Sequence, residues 1–298
     1  MRRLSVLISA LVSFTAAAQG AKATPPPAQT AVLVGVVAAV NDEVAKKQAD
    51  ALASFVAIAL KETTLPRVFA DQEALANAVS KGEVDVALMG PLAYLRVAPN
   101  SKAQLMFRTV RQGKSTYRSV IFAPPTSKLT GLDALKKSKV PLKIAWVETS
   151  SATGYVIPKA LLLQAGINPA QSFEVQDFLG SHDAACKAVM EGKYDLGATF
   201  SDPIANGSKV TGCIGALGKR VDTLKVVATS SDIPNDVMVS APQFPQGKVE
   251  AIIAAAKAAS TSADGKKQLQ AALLAEGVAD VKDEDFAPLR KALDAFVP

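Results

Sequence analysis

Beyond its first two dozen residues, the chain lacks any apolar run long enough to cross a bilayer. It has one histidine, His182, and two cysteines, Cys186 and Cys213. That supply argues against a structural zinc site, which needs four soft or imidazole ligands. Aromatic residues make up only 5% of the chain, and the lysines do not cluster with them. The formal charge is +6, of which Arg2, Arg3 and Lys22 supply three, so a chain starting at Thr24 carries about +3. So mild a basic balance does not point to nucleic acid. The signatures G-x-S-x-G, H-E-x-x-H and G-x-x-x-x-G-K-[ST] are missing, which removes the common motifs for nucleophilic, metal-dependent and nucleotide chemistry. No fixed period recurs, so a solenoid repeat is not indicated.

What is present begins with a short basic start, Met1-Arg2-Arg3, and an apolar core from Leu4 to Ala18. Small residues follow, and Ala16-Ala17-Ala18 or Ala21-Lys22-Ala23 suits an A-x-A cleavage signal. Residues 1–23 are therefore expected to be a secretory signal peptide. No cysteine lies near the cleavage site to carry an acyl anchor, so no membrane insertion is expected after cleavage. Residues 24–30, with Pro25-Pro26-Pro27, read as an extended tether. An exported chain can oxidise Cys186 and Cys213. Spacing alone does not decide between a disulfide and two buried thiols.

From Ala31 onward, apolar runs of strand length alternate with segments of helical period. Ala31–Ala38 is the first strand, followed by the turn Ala39–Asp42 and a long helix to about Glu62. Strands are expected at 66–70, 84–89, 105–108, 117–123, 142–147, 173–178, 194–200 and 224–229, with 237–240 extended. Helices are expected at 72–80, from Pro91, at 132–137, 155–165, 184–191, 247–260 and 263–275, with a last amphipathic piece at 283–296. Alanine and valine are abundant, which suits small-residue packing between helices and a sheet. The alternation predicts an α/β fold with mainly parallel sheets.

One stretch stands out. The strand 142–147 runs into Glu148-Thr149-Ser150-Ser151-Ala152-Thr153-Gly154, with four hydroxyl residues in five positions, and then into a helix. Helix capping needs one hydroxyl. A strand feeding a hydroxyl-rich turn and a helix start gathers free N–H groups and the positive end of a helix dipole, which is an anion site. His182 has a similar place, at the start of a helix after the strand 173–178, with Ser181 as N-cap. A helix start disfavours the imidazolium, so a neutral histidine donating one N–H is expected. In open α/β sheets such turns converge at the carboxyl ends of strands.

Four segments then carry a family resemblance. Gly82 to Tyr94 resembles the GEVDVAxxGPxAY segment of the phosphate/phosphite/phosphonate ABC-transporter substrate-binding proteins. Ser151 to Pro158 is similar to that family's S-T-S-G-Y-x-x-P, and Gly180-Ser181-His182-Asp183-Ala184 and Ile233-Pro234-Asn235-Asp236 also match, in the family's order. The resemblance implies a type II periplasmic binding protein, two α/β lobes closing over a ligand cleft. Lobe one is then about 31–121 plus 229–298 and lobe two about 122–228, with crossings near 120–125 and 226–232. It implies a monomer that captures a small phosphorus oxyanion for an ABC importer and its permease, without cofactor or metal. The ligand-binding positions it implies are Tyr94, Ser151, Ala152, Thr153, His182 and Asp236, with Ser150 or Thr149 able to compensate at Ala152. There the family usually has threonine; a side-chain donor is lost but the backbone N–H stays.

Asp236 has a physical rationale in such a site. A carboxylate beside a bound anion repels it unless a proton lies between them. A P–OH or a ligand ammonium supplies that proton, so Asp236 would reject sulfate-like ligands. Two other readings stand beside transport: an exported hydrolase or transferase using a hydroxyl nucleophile with His182, and a stand-alone oxyanion sensor of the same fold.

Overall fold

The strand-and-helix alternation is realised in two separate sheets. The computed structural model describes residues 31–37, 42–97, 102–202 and 210–295. The expected signal peptide and tether lie outside these residues, as do 39–41 of the first-strand turn.

The first sheet has the order β12-β4-β11-β3-β1-β2. Its strands are β1 (Val32–Val37), β2 (Thr64–Phe69), β3 (Val86–Met89), β4 (Gln104–Val110), β11 (Val237–Ser240) and β12 (Gly277–Ala279). Helix α1 (Asp42–Leu60) connects β1 to β2, and α2 (Gln72–Lys81) connects β2 to β3. Both crossovers return to parallel neighbours of β1, the usual βαβ arrangement. Asp71 caps α2 through its carboxylate, and Gly82 closes it with a φ of 71°. Buried α1 residues Leu52, Phe55 and Val56 pack with Ile252 and Ala256 of α9 (Gln246–Ala259) and Leu269 of α10 (Ala263–Leu273) on one side of this sheet. Leu75 and Val79 of α2, Tyr94 of α3 (Pro91–Val97) and Leu289 of α11 (Ala287–Asp294) pack in a second cluster with Val84, Ala87 and Met89. Ile157 and Ala160 of α5 (Ile157–Gln164) join that cluster, so a helix of the second lobe leans on the core of the first.

The second sheet has the order β10-β5-β8-β6-β7, with β9 also paired to β5. These strands are β5 (Thr116–Ala123), β6 (Leu142–Trp146), β7 (Phe173–Phe178), β8 (Leu196–Ser201), β9 (Lys225–Thr229) and β10 (Ile233–Pro234). Short helices α4 (Leu132–Lys136), α6 (Pro169–Ser172) and α8 (Ile214–Leu217) fill connections, and α7 (His182–Met190) links β7 to β8. Trp146 is fully buried and donates its indole N–H to Gln176 Oε1 at 3.2 Å.

Neither sheet is as parallel as its sequence suggests. β11 runs antiparallel to both β3 and β4, and β5 runs antiparallel to β8 and β9. The reason is the path between lobes. β5 is wholly a strand of the second sheet, and β10 pairs with its first residues, Thr116 and Tyr117. The chain therefore passes between sheets at residues 111–115 and at Asn235-Asp236. The first passage is earlier, and the second later, than the expected crossings near 120–125 and 226–232. An apolar strand reads the same in either sheet, so periodicity alone did not locate the change.

Asn235 laces the two passages together. Its buried side-chain amide donates to the carbonyls of Thr109 and Lys114 at 3.1 and 2.9 Å, and its own N–H donates to the Ser115 carbonyl. The Thr109 N–H donates to the Asp236 carbonyl at 2.9 Å. Arg111 and Lys114 exchange backbone hydrogen bonds across the tight turn at Gln112-Gly113, where both residues have positive φ.

Cys186 and Cys213 form a disulfide with Cα atoms 5.5 Å apart, which settles the choice the sequence left open. It closes a loop with a sequence separation of 27 and ties α7 to the turn before α8. Replacing both cysteines by alanine should lower the unfolding free energy by about 3 kcal/mol. Urea unfolding of the two proteins checks this, and reductant should shift the midpoint of the wild type only.

Candidate functional site

The hydroxyl-rich turn leaves β6 at Val147 and folds back against it. The Val147 N–H donates to the Gly154 carbonyl at 3.2 Å. A Cβ on Gly154 would stand 2.3 Å from Val147 Cγ2, so this contact requires glycine. Ser151 caps the turn by accepting from the Gly154 N–H at 3.0 Å. Its carbonyl accepts from both Tyr155 and Val156 N–H groups, which opens the first turn to π-helical width over Ala152–Val156 before α5 begins. Inserted wide turns of this kind recur at functional sites. The N–H groups of Ala152 and Thr153 make no hydrogen bond among the described residues. Both are at the positive end of a helical segment that continues to Gln164.

The turn faces a cavity of about 520 Å³ between the lobes. Ser150, Ser151, Ala152, Thr153 and His182 line one wall. Gly90 to Ala93 at the start of α3, with Asn235 and Asp236, line the other. Thr116 and Tyr117 at the start of β5 complete the lining between them. The size suits a small molecule. Six of the seven residues expected in the site therefore share one cavity.

His182 is held by Thr199, whose hydroxyl lies 2.8 Å from Nδ1, and its ring meets Phe200 edge-on. Burial pushes its pKa below the ordinary histidine value, against a weaker opposing pull from Asp183. The imidazole is thus neutral at pH 7. When Thr199 donates to Nδ1 the ring carries its hydrogen on Nε2, and when Nδ1–H donates to Thr199 the Nε2 position is an acceptor.

Asp236 is not alone. Arg111 Nη2 donates to its Oδ2 at 2.6 Å, with each side chain about a third exposed (38% and 34%). Arg111 also donates through Nε to the Leu274 carbonyl at 3.0 Å. Because Arg111 belongs to one interlobe passage and Asp236 to the other, this ion pair sits on the floor of the cleft.

Tyr94 departs from expectation. Its side chain is 3% exposed and turned into the core of the first lobe, not the cavity. The ring packs on Phe286 with centroids 4.5 Å apart, and the hydroxyl donates to Asp283 Oδ1 at 2.6 Å. Asp283 also accepts from Arg290. Gly90 to Ala93 reach the cavity; the helical turn carries the next residue round to the buried side.

Arg111 and Tyr117 are among the cleft residues that went unrecognised in the sequence. Arg111 stands just before a polar turn, Gln112-Gly113-Lys114. Tyr117 reads as an ordinary strand residue. Only the placement of β5 beside the cavity distinguishes them.

Two lobes with a polar cleft at their junction define a solute-binding protein of the periplasmic type. Residues 34–286 match the family described as "ABC transporter, phosphonate, periplasmic substrate-binding protein", and the chain belongs to it. This is a substrate-binding family of ABC transport, not an enzyme family. A Xanthomonas citri protein solved with chloride ion shares 15% identity and a TM-score of 0.71, covering 89% of this chain and 96% of its own. PhnD1 from Prochlorococcus marinus, solved with methylphosphonate, shares 17% identity and a TM-score of 0.67 over 89% of this chain and 98% of its own. A binding-protein component of a phosphonate ABC transporter from Pseudomonas aeruginosa shares 17% identity and a TM-score of 0.65 over 88% and 85%. At these identities the likeness is one of fold, that of type II periplasmic binding proteins. Among the described residues, no helix is long and apolar enough to cross a membrane, and no group of three or more His, Cys, Asp or Glu is placed to hold a metal ion.

The lowered pKa of His182 has a pH consequence. As pH falls through the ordinary histidine value of about 6.5, the unfolded chain takes up a proton that the folded chain resists. Stability contributed by the neutral ring is therefore present above that pH and lost below it. Between pH 7.5 and pH 5.5, wild type should lose more stability than His182→Gln in urea unfolding. Equal losses would place the folded-state titration of His182 at its ordinary value.

Proposed function

We propose that this protein captures a small phosphorus oxyanion, a phosphonate, phosphite or phosphate, in the periplasm and delivers it to the permease of an ABC importer. It acts as a monomer, without cofactor or metal, and residues 1–23 direct its export. The observation that carries this reading is the pair of unpaired N–H groups at Ala152 and Thr153, set among the hydroxyls of Ser150, Ser151 and Thr153 and facing a cavity between lobes. Hydroxyls, amides and a helix dipole stabilise an anion without a formal counter-charge. The methylphosphonate held by PhnD1, a protein of the same fold, supports the ligand class.

Each residue has a role in this reading. Ser151 uses its oxygen to accept from Gly154 and keeps its O–H to donate. Ala152 donates through the backbone alone. Thr153 donates an amide and a hydroxyl, and neutral His182 donates Nε2–H. Asp236 has one oxygen taken by Arg111 and uses the other to accept from a ligand P–OH. A fully deprotonated oxyanion would set acceptor against acceptor there. Lobe closure over the ligand then presents the occupied form to the permease.

Calorimetry with phosphite, phosphate, methylphosphonate, 2-aminoethylphosphonate and methanesulfonate tests the reading. At least one phosphorus ligand should bind with Kd below about 1 mM, and methanesulfonate should bind more weakly. Asp236→Asn should weaken the protonated phosphorus ligands selectively, on the order of tenfold. Binding of no phosphorus ligand, with an unrelated organic anion bound instead, would overturn the assignment.

A further inference from the structure

The position of Tyr94 leaves the cleft without the phenol expected there, yet a tyrosine does line it. Tyr117 is the second residue of β5, at the junction of the lobes. Two residues on, and so on the same face of the strand, Ser119 donates its hydroxyl to the Thr153 carbonyl at 2.9 Å. That bond fastens β5 to the hydroxyl-rich turn. It sets the face carrying Tyr117 towards the wall that holds the unpaired Ala152 and Thr153 amides.

The Tyr117 ring packs against the core cluster of the first lobe, and its backbone pairs with Ile233 of β10. It is thus anchored on two sides. Its hydroxyl makes no hydrogen bond to any described residue. The buried side-chain atoms left without a partner among the described residues are Arg108 Nε, Thr109 Oγ1 and Ser240 Oγ. The Tyr117 oxygen is not one of them, so it keeps accessible surface, and the surface beside it is the cleft. A half-buried phenol facing a binding cavity is a donor waiting for an acceptor.

We infer that Tyr117, rather than Tyr94, is the phenol that donates to the oxyanion in this cleft. The inference rests on the proposed function, because it needs an anionic ligand at the hydroxyl turn. Tyr94 cannot serve without surrendering its bond to Asp283 and its packing on Phe286. Tyr117 surrenders nothing. Burial, and then the neighbouring Asp236 carboxylate, push its pKa well above the ordinary phenol value, with Arg111 opposing weakly. The phenol therefore keeps its proton throughout the physiological range. Next to Asp236 it also complements that residue. A monoprotonated phosphonate offers an oxygen to accept from Tyr117 and a P–OH to donate to Asp236, whereas a fully ionised oxyanion satisfies only the tyrosine.

The test is calorimetry of methylphosphonate with the wild type, Tyr117→Phe and Tyr94→Phe. Tyr117→Phe should weaken binding by about tenfold. Tyr94→Phe should leave Kd within about twofold and lower the Tm. If the wild type takes phosphite, phosphate or 2-aminoethylphosphonate instead, the same variants are measured with that ligand. Unchanged binding in Tyr117→Phe, or loss confined to Tyr94→Phe, overturns the inference while the proposed function stands. A wild type that binds none of these four ligands overturns both. A second measurement does not depend on the folding of Tyr117→Phe. The chain has four tyrosines, so wild type carrying carbon-13 at the tyrosine ζ position gives four resonances. Phe variants of Tyr94, Tyr155 and Tyr194 assign Tyr117 by elimination. Ligand should move the Tyr117 resonance and leave that of Tyr94 in place; the opposite pattern overturns the inference.

Discussion

The whole arrangement depends on how two lengths of chain are held together where they pass between the lobes. Asn235 is the fastening. Its buried amide reaches the carbonyls of Thr109 and Lys114, so one side chain completes the backbone hydrogen bonding of a junction that no sheet continues through. Loss of such a group would take this partner from the buried Thr109 carbonyl, a cost of about 1–3 kcal/mol. The junction also fixes what the cleft contains. Arg111 and Asp236 come to the floor because they are the residues next to the fastening. Thr116 and Tyr117 reach the interior because β5 begins there.

The electrostatics of the cleft follow from the same economy. Arg111 on the cleft floor is engaged with Asp236 and Leu274, His182 is kept neutral by burial, and Arg96 and Lys114 also line the cavity. In the proposed reading these cations act beside fixed dipoles: amides at a widened helix start and hydroxyls on the same turn. Dipoles fixed by a folded backbone need no reorganisation when a ligand arrives, and they discriminate by geometry more sharply than a mobile charge does.

Much of this was legible in the sequence, because the features concerned are local. The hydroxyl run from Thr149 to Thr153 and the Ser181 cap each signal a helix start within a few residues. The alternation of strands and helices signals an α/β fold. What stayed hidden was non-local. Tyr94 lies in a segment resembling the family's, but its direction depends on Phe286 and Asp283, nearly two hundred residues away in the chain. The lobe passages were misplaced because β5 is apolar along most of its length and would suit either sheet. Arg111 and Tyr117 have no local signature, since their place in the cleft comes from the passage geometry. The pairing of Cys186 with Cys213 likewise depended on a distance that spacing does not encode.

Ala152 gains a different meaning from the shape of its turn. The unpaired donor at this position is a main-chain amide, so no substitution short of proline removes it. The residue lines the cavity and also packs against the core cluster of the first lobe. Donor and side chain are thus decoupled at one residue: the first is guaranteed by the fold, and the second is part of the contact between lobes. A substitution at position 152 therefore keeps the amide while altering how the turn that presents it leans on the facing lobe.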